Sequence, residues 1–181
     1  MKTTIVLICL AIAIFFCINI VDIESVYGHN ENRVISSPLI DSSKDDEITC
    51  MSVNLYFEAR SQKIIEQEAI AHVVMNRVLD ESFPNTVCGV VYDAKLDKAG
   101  IPIKNMCQFS WFCDGKPETI LNHKLYKKSV EIAERMYYRS LNRERDPTEG
   151  ALWYHAEYVT PYWAKSYTKQ LQIGAHIFYS R

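Results

Sequence analysis

The chain carries no excess of positive charge, with 20 Lys and Arg against 22 Asp and Glu in 181 residues, and beyond its N-terminal segment no apolar run long enough to span a bilayer. The first absence removes the nucleic-acid binders, whose basic stripe displaces counterions from phosphates. The second leaves no transmembrane segment to expect in the mature part. Also missing are a Gly-x-Ser-x-Gly elbow, a His-Glu-x-x-His pair, a phosphate-cradling glycine loop and a Cys-x-x-Cys, each of which would announce its own chemistry. His155-Ala156-Glu157 opens like a zinc-deaminase signature but lacks the downstream cysteine pair. The histidines at 29, 72, 123, 155 and 176 share no ligand spacing, and His72 reads as a core residue, so neither a metal nor a cofactor is expected. No internal repeat or low-complexity tract occurs.

What is present begins with Met1-Lys2-Thr3-Thr4 and an apolar run from Ile5 to Ile18, the pattern of a signal peptide over 1–28 with cleavage near Gly28. An uncleaved anchor is the alternative. Export implies a periplasmic, wall-associated or extracellular location and an oxidising setting. There Cys50, Cys88, Cys107 and Cys113 form an even set with three complete pairings. A bridge tying the 107–113 loop to the body would be the useful one. Residues 29–44 read as a flexible leader, and 45–181 as one domain with ample apolar material for a core.

Within the domain, Ile48, Met51 and Leu55 recur at helical spacing behind Asp45, Asp46 and Glu47, which predicts a helix over 46–60. Ala69, Val73 and Arg77, flanked by Ile70, Val74 and Val78, predict a mostly buried helix over 66–79. Thr86 to Tyr92 is short and β-branched, as a strand or tight extended segment would be. Residues 93–104 read as an exposed loop, and 107–113 as an aromatic, half-buried segment. A third helix is expected over 116–142, with Glu131 set to pair with Arg135. Asp146-Pro147-Thr148-Glu149-Gly150 then turns the chain into an aromatic, polar C-terminal stretch.

Three groups of residues could carry chemistry. Glu58 lies near the end of the first helix, directly after Tyr56 and Phe57. Burial there penalises the carboxylate, so the group could hold its proton near neutral pH and hand it to a glycosidic oxygen. A surface Glu paired with Arg60 is the plainer alternative. The second group, Gln108, Ser110, Trp111 and Asp114, mixes aromatic faces with donors and acceptors in the manner of a sugar-binding wall. The third, Tyr154 and His155, sits in a similar alternation.

These motifs together resemble the SleB-type cell-wall hydrolases, which include spore-cortex-lytic enzymes and related bacterial and phage proteins. The resemblance spans about 48–179. It rests on Tyr56-Phe57-Glu58-Ala59-Arg60, on Gln67 through Val78, on Phe83-Pro84-Asn85-Thr86-Val87-Cys88-Gly89-Val90-Val91-Tyr92 and on Gln108-Phe109-Ser110-Trp111 with Asp114-Gly115. It continues through Asp146-Pro147-Thr148 with Gly150-Ala151, Tyr154-His155, and Ile173-Gly174 with His176-Ile177-Phe178-Tyr179.

The resemblance implies a mainly α (α+β), lysozyme-like and lytic-transglycosylase-like fold with a small β element. It implies a monomeric enzyme acting on the glycan strands of peptidoglycan between N-acetylmuramic acid and N-acetylglucosamine, by lytic transglycosylation or hydrolysis. Glu58 takes the place of the single catalytic acid. Gln108, Ser110, Trp111, Asp114, Tyr154 and His155 are candidates for the substrate-binding cleft, and Asp114 for a second carboxylate. Asn76 and Arg77 are placed to brace the catalytic helix from behind. The chain departs from the family pattern after Arg60, where Ser61-Gln62 replaces Gly-Glu and could strain the turn. A non-catalytic peptidoglycan-binding module and a structural envelope or virion protein are the competing classes; the intact Glu58 in its aromatic setting favours catalysis.

Overall fold

The computed structural model describes residues 42–142 and 144–181; the expected export segment and nearly all of the expected leader lie outside them. Helix α1 spans Ser42–Ala59 and buries Ile48, Met51, Leu55, Tyr56 and Ala59. Helix α2, Ile64–Leu79, is enclosed along most of its length, from Glu66 and Gln67 to Arg77. Between them, the Gln67 side-chain amide donates to the Gln62 carbonyl at 3.0 Å and closes the corner. Ser61 causes no backbone strain there, because the non-glycine residues with positive φ are Asn105 and Glu149.

The segment expected as a strand is instead a short helix, α3, Val87–Val91. Two local features decide it. The Thr86 hydroxyl caps the turn by accepting from Gly89 N at 3.0 Å, and Val87, Val90 and Val91 fall on one buried face at helical spacing. Gly89 is required because a Cβ at that position would press against Pro84 and the Thr86 hydroxyl. Glu47, on the first turns of α1, accepts from Val87 N, and the Cys50–Cys88 disulfide fastens the same two helices.

The segment expected as a loop forms a hairpin of β1 (Ala94–Leu96) and β2 (Pro102–Cys107), paired antiparallel. Its tip is organised by the Asp97 carboxylate, which accepts from Ala99 N and Ile101 N, and by Gly100 at φ 79°. A single 3-10 turn follows over Ser110–Cys113. Of the three pairings the sequence leaves open, the second disulfide joins Cys107 to Cys113 and so closes this loop on itself instead of tying it to the body.

Helix α4 begins at His123, seven residues later than expected, and ends at Leu141. The Asp114 side chain accepts from Lys116 N in a local turn, and the helix starts only where the Asn122 side chain caps Leu125 N at 3.0 Å. Arg135 does not turn to Glu131; it reaches across to Glu68 at 2.7 Å and links α4 to α2. The C-terminal stretch is a three-stranded antiparallel sheet of β3 (Trp153–Ala156), β4 (Thr168–Ile173) and β5 (His176–Ser180), in the order β3-β5-β4. Ala69 and Val73 of α2 pack with Ala151 and Phe178 beneath it, while the main core lies among α1, α2, α3 and α4. The result is the mainly helical α+β architecture expected, with its β content in two small sheets. No helix among the described residues is long and apolar enough to cross a membrane.

Candidate active site

Glu58 occupies the last turn of α1, on a side of the helix that α2 and β3 approach. The residue as a whole is half-buried, and the Tyr154 hydroxyl of β3 donates to Oε2 at 2.9 Å. Burial raises the Glu58 pKa above the ordinary carboxylate value; the Tyr154 hydrogen bond and the positive charge of Arg77 offset this only in part. With Oε2 engaged, Oε1 is the oxygen left to carry the proton. Tyr154 remains a donor throughout, because burial and the neighbouring Glu58 charge push its phenol well above the usual range.

The strand that delivers Tyr154 is held from below. Asn76 Nδ2 donates to Asp146 Oδ2 at 2.8 Å and to the Ala151 carbonyl at 3.1 Å, and Arg77 Nε donates to the Leu152 carbonyl at 2.8 Å. Asp146 also gathers Thr148 N, the Thr148 hydroxyl and Gly150 N, which fixes the turn into β3. Asn76 and Arg77 therefore brace the segment leading into β3, opposite α1, and not the back of α1.

One turn before Glu58, on the same helix face, Asn54 accepts from Trp111 Nε1 at 2.9 Å in a buried bond. The Trp111 ring stacks on Phe57, with centroids 4.9 Å apart and planes 21° apart. Tyr56, Phe57, Arg60, Trp111, Asp114 and Lys116 line part of a groove of about 420 Å³ beside this pair. Asp114 is bound to Lys116 through backbone N–H and ammonium, and both contacts hold its carboxyl below the usual range.

Of the residues named from the sequence, the structure thus brings Tyr154 onto Glu58 and packs Trp111 against Glu58's neighbours, with Asp114 in the same groove as Trp111. Gln108 and Ser110 are exposed on the segment leading into the 3-10 turn. His155 is separated from Tyr154 by the strand pleat. Tyr154 faces Phe178 and His176, whereas His155 stacks on Tyr179, bonds its hydroxyl at 2.9 Å and meets Trp163 on the other side of the sheet. Sequence reasoning missed Asn54, whose only signal is its i, i+4 spacing to Glu58. It also missed a buried pair in which Glu66 accepts from Ala175 N at 2.9 Å with His176 Nδ1 at 3.4 Å. Among the described residues no three His, Cys, Asp or Glu side chains converge as metal ligands would.

Comparison with known proteins gives a consistent picture. A family model described as Cell Wall Hydrolase matches residues 61–179, a span that opens three residues after Glu58. The spore cortex-lytic enzyme of Bacillus cereus is 30% identical over 134 residues, covering 74% of this chain and 44% of the relative. That of Halalkalibacterium halodurans is 30% identical over 135 residues, covering 74% and 34%. The chain thus spans less than half the length of these curated relatives. Among solved structures, the catalytic domain of the germination-specific lytic transglycosylase SleB from Bacillus anthracis superposes with a TM-score of 0.54 at 29% identity, covering 75% of this chain and 94% of that one. The catalytic domain of the Bacillus cereus SleB protein gives 0.52 at 28%, covering 75% and 91%.

Proposed function

Because the chain belongs to the cell wall hydrolase family, we propose that it cuts the glycan strands of peptidoglycan at the bond between N-acetylmuramic acid and N-acetylglucosamine, with Glu58 as general acid. The observation that carries this reading is the Glu58 carboxyl itself: raised in pKa by burial and held on one oxygen by Tyr154. Oε1 gives its proton to the bridging oxygen as the C1–O bond of the muramic residue breaks, and the sugar passes through an oxocarbenium-like state. The glucosamine portion leaves as an alcohol.

The cation is then quenched by the muramic residue's own 6-hydroxyl, which forms a 1,6-anhydro ring and returns its proton to the Glu58 carboxylate. No water is consumed and the acid is regenerated. Two considerations favour this over hydrolysis. Asp114, the candidate second carboxylate, is engaged by Lys116 at 3.0 Å. The similar catalytic domain from Bacillus anthracis is described as a lytic transglycosylase.

Flanking sugars would pack their C–H faces against the Phe57–Trp111 pair in the groove that Tyr56, Arg60 and Asp114 also line. Action on the wall places the protein outside the cytoplasm, where Cys50–Cys88 and Cys107–Cys113 persist as disulfides. It would work there as a monomer. The test is Glu58→Gln in the full chain, which should still bind purified sacculi but release no soluble muropeptides. Digestion at the parent rate would refute the assignment.

A further inference from the structure

The acid must do two opposed things: keep its proton until substrate is in place, then part with it easily. Burial serves the first demand. For the second, something has to stabilise the carboxylate that appears in a poorly hydrated site as the proton leaves. The Tyr154 hydroxyl offers one hydrogen bond at 2.9 Å. A single neutral donor leaves a newly formed negative charge without a counter-charge.

Among the described residues, the buried cation whose charge bears on Glu58 is Arg77. It is 4% exposed, and its placement is fixed from several sides. Nε donates to the Leu152 carbonyl at 2.8 Å, and the guanidinium carbon lies 5.2 Å from the Phe83 ring centre and 5.3 Å from that of Phe109. Leu152 is two residues before Tyr154, so the same short segment carries both the anchor of the guanidinium and the hydroxyl that grips Glu58. Nη1 is buried and has no hydrogen-bond partner in the structure. A buried guanidinium with an unspent N–H is costly to keep, and none of the ion pairs among the described residues includes it. The groups around it are Tyr154, Asp93 and Glu58, with Asp93 half-buried just ahead of β1.

We infer that Arg77 is a positioning residue for the general acid, whose buried guanidinium, clamped to Leu152, supplies the counter-charge for the Glu58 carboxylate formed during glycosidic cleavage. The inference rests on Glu58 being that acid. It assigns Arg77 no contact with the sugar: its effect reaches the substrate only through Glu58. The other charged or titratable groups near this cluster are accounted for separately. His176 meets the Tyr154 ring edge to face at 5.6 Å and is itself paired with Glu66 at 3.4 Å, and Arg60 leans over the Tyr56 ring at 4.9 Å.

Arg77→Gln retains an amide donor for the Leu152 carbonyl and removes the charge; Arg77→Lys retains the charge and loses the planar fork. For the full-length parent and both variants, the measurements are muropeptide release from purified sacculi across pH and carboxyl carbon NMR titration of Glu58, assigned with Glu58→Gln. Without the cation, Glu58 becomes a weaker acid. The Glu58 midpoint and the alkaline limb of the rate profile should both move upward in Arg77→Gln, with the plateau rate falling about tenfold or more. Arg77→Lys should leave the midpoint near the parent's. A merely structural role would lower the amount of folded enzyme without moving either midpoint, and that outcome would overturn the inference.

If Arg77→Gln does not fold, the parent carries the test alone. Its Arg77 Nε and Nη resonances should titrate with the Glu58 midpoint and stay flat in Glu58→Gln; flat resonances in the parent refute the idea. An active Glu58→Gln enzyme would instead remove the functional reading beneath it.

Discussion

Tyr154→Phe isolates one hydroxyl. The phenyl ring is kept, and with it the packing against Phe178 at 5.8 Å and the edge contact with His176 at 5.6 Å, so the strand and the sheet beneath it stay in place. What disappears is the 2.9 Å bond to Glu58 Oε2. A hydrogen bond to an ionised group contributes about 1.5–3 kcal/mol, and this one strengthens as the carboxylate forms, so the rate should fall roughly 10- to 100-fold at the plateau. The bond also lowers the Glu58 pKa against the larger effect of burial. Its removal raises that pKa further, so the alkaline limb of the pH–rate profile should move to higher pH even as the rate drops. The unfolding temperature should fall by only about 3 °C, from roughly 1 kcal/mol for one lost bond. Turbidity loss of purified sacculi across pH reads the rate, and calorimetry the stability. A variant that works within twofold of the parent, with its alkaline limb unmoved, would refute the claim that Tyr154 manages the acid.

Glu58→Gln should be more stable than the parent at neutral pH. The parent's folded-state pKa is raised, so its native state holds a proton that the unfolded chain releases, and its stability falls as pH rises above the ordinary carboxylate value; thermal unfolding at pH 4 and pH 8 should show the two proteins converging at the lower pH. Gly174→Ala, at φ 56°, would drive a Cβ into the Glu66 carboxyl and dislodge it from Ala175 N, at a cost of about 2–4 kcal/mol and a drop of roughly 10 °C in unfolding temperature. An unchanged melting curve would contradict that packing. The two disulfides should separate stability from activity. Cys50–Cys88, at a sequence separation of 38, should contribute about 4 kcal/mol, and Cys107–Cys113, at a separation of 6, about 2 kcal/mol. Replacing the second pair by serine should nevertheless cost more muropeptide release, because the loop it closes carries Trp111.

The helices that frame the acid were legible because their evidence is local. Ala69, Ile70, Val73, Val74 and Arg77 repeat at helical spacing and are buried, and Glu58 stands out as an acid among aromatics. Where the sequence misled, two local effects competed. The β-branched content of 86–92 suggested a strand or a tight extended segment, yet the Thr86 cap and the 87, 90, 91 stripe favour a helical turn. The lysine-rich stretch after Asp93 looked like a loop because its turn depends on the Asp97 side chain folding back on its own backbone. What the sequence could not show is non-local. The disulfide pairing, the reach of Arg135 to Glu68 and the bond from Arg77 to Leu152, 75 residues along the chain, leave no trace in spacing. Tyr154 and His155 look equivalent in sequence, but strand alternation sends one to the acid and the other to the far face of the sheet.

The chemistry proposed for Glu58 is most directly read from the ends of the products. Purified peptidoglycan digested with the parent chain and analysed by mass spectrometry should yield fragments ending in 1,6-anhydromuramic acid, with none from Glu58→Gln. Reducing muramic ends would show that water, not the 6-hydroxyl, resolves the cation, and intact glycan with severed peptides would contradict the account altogether.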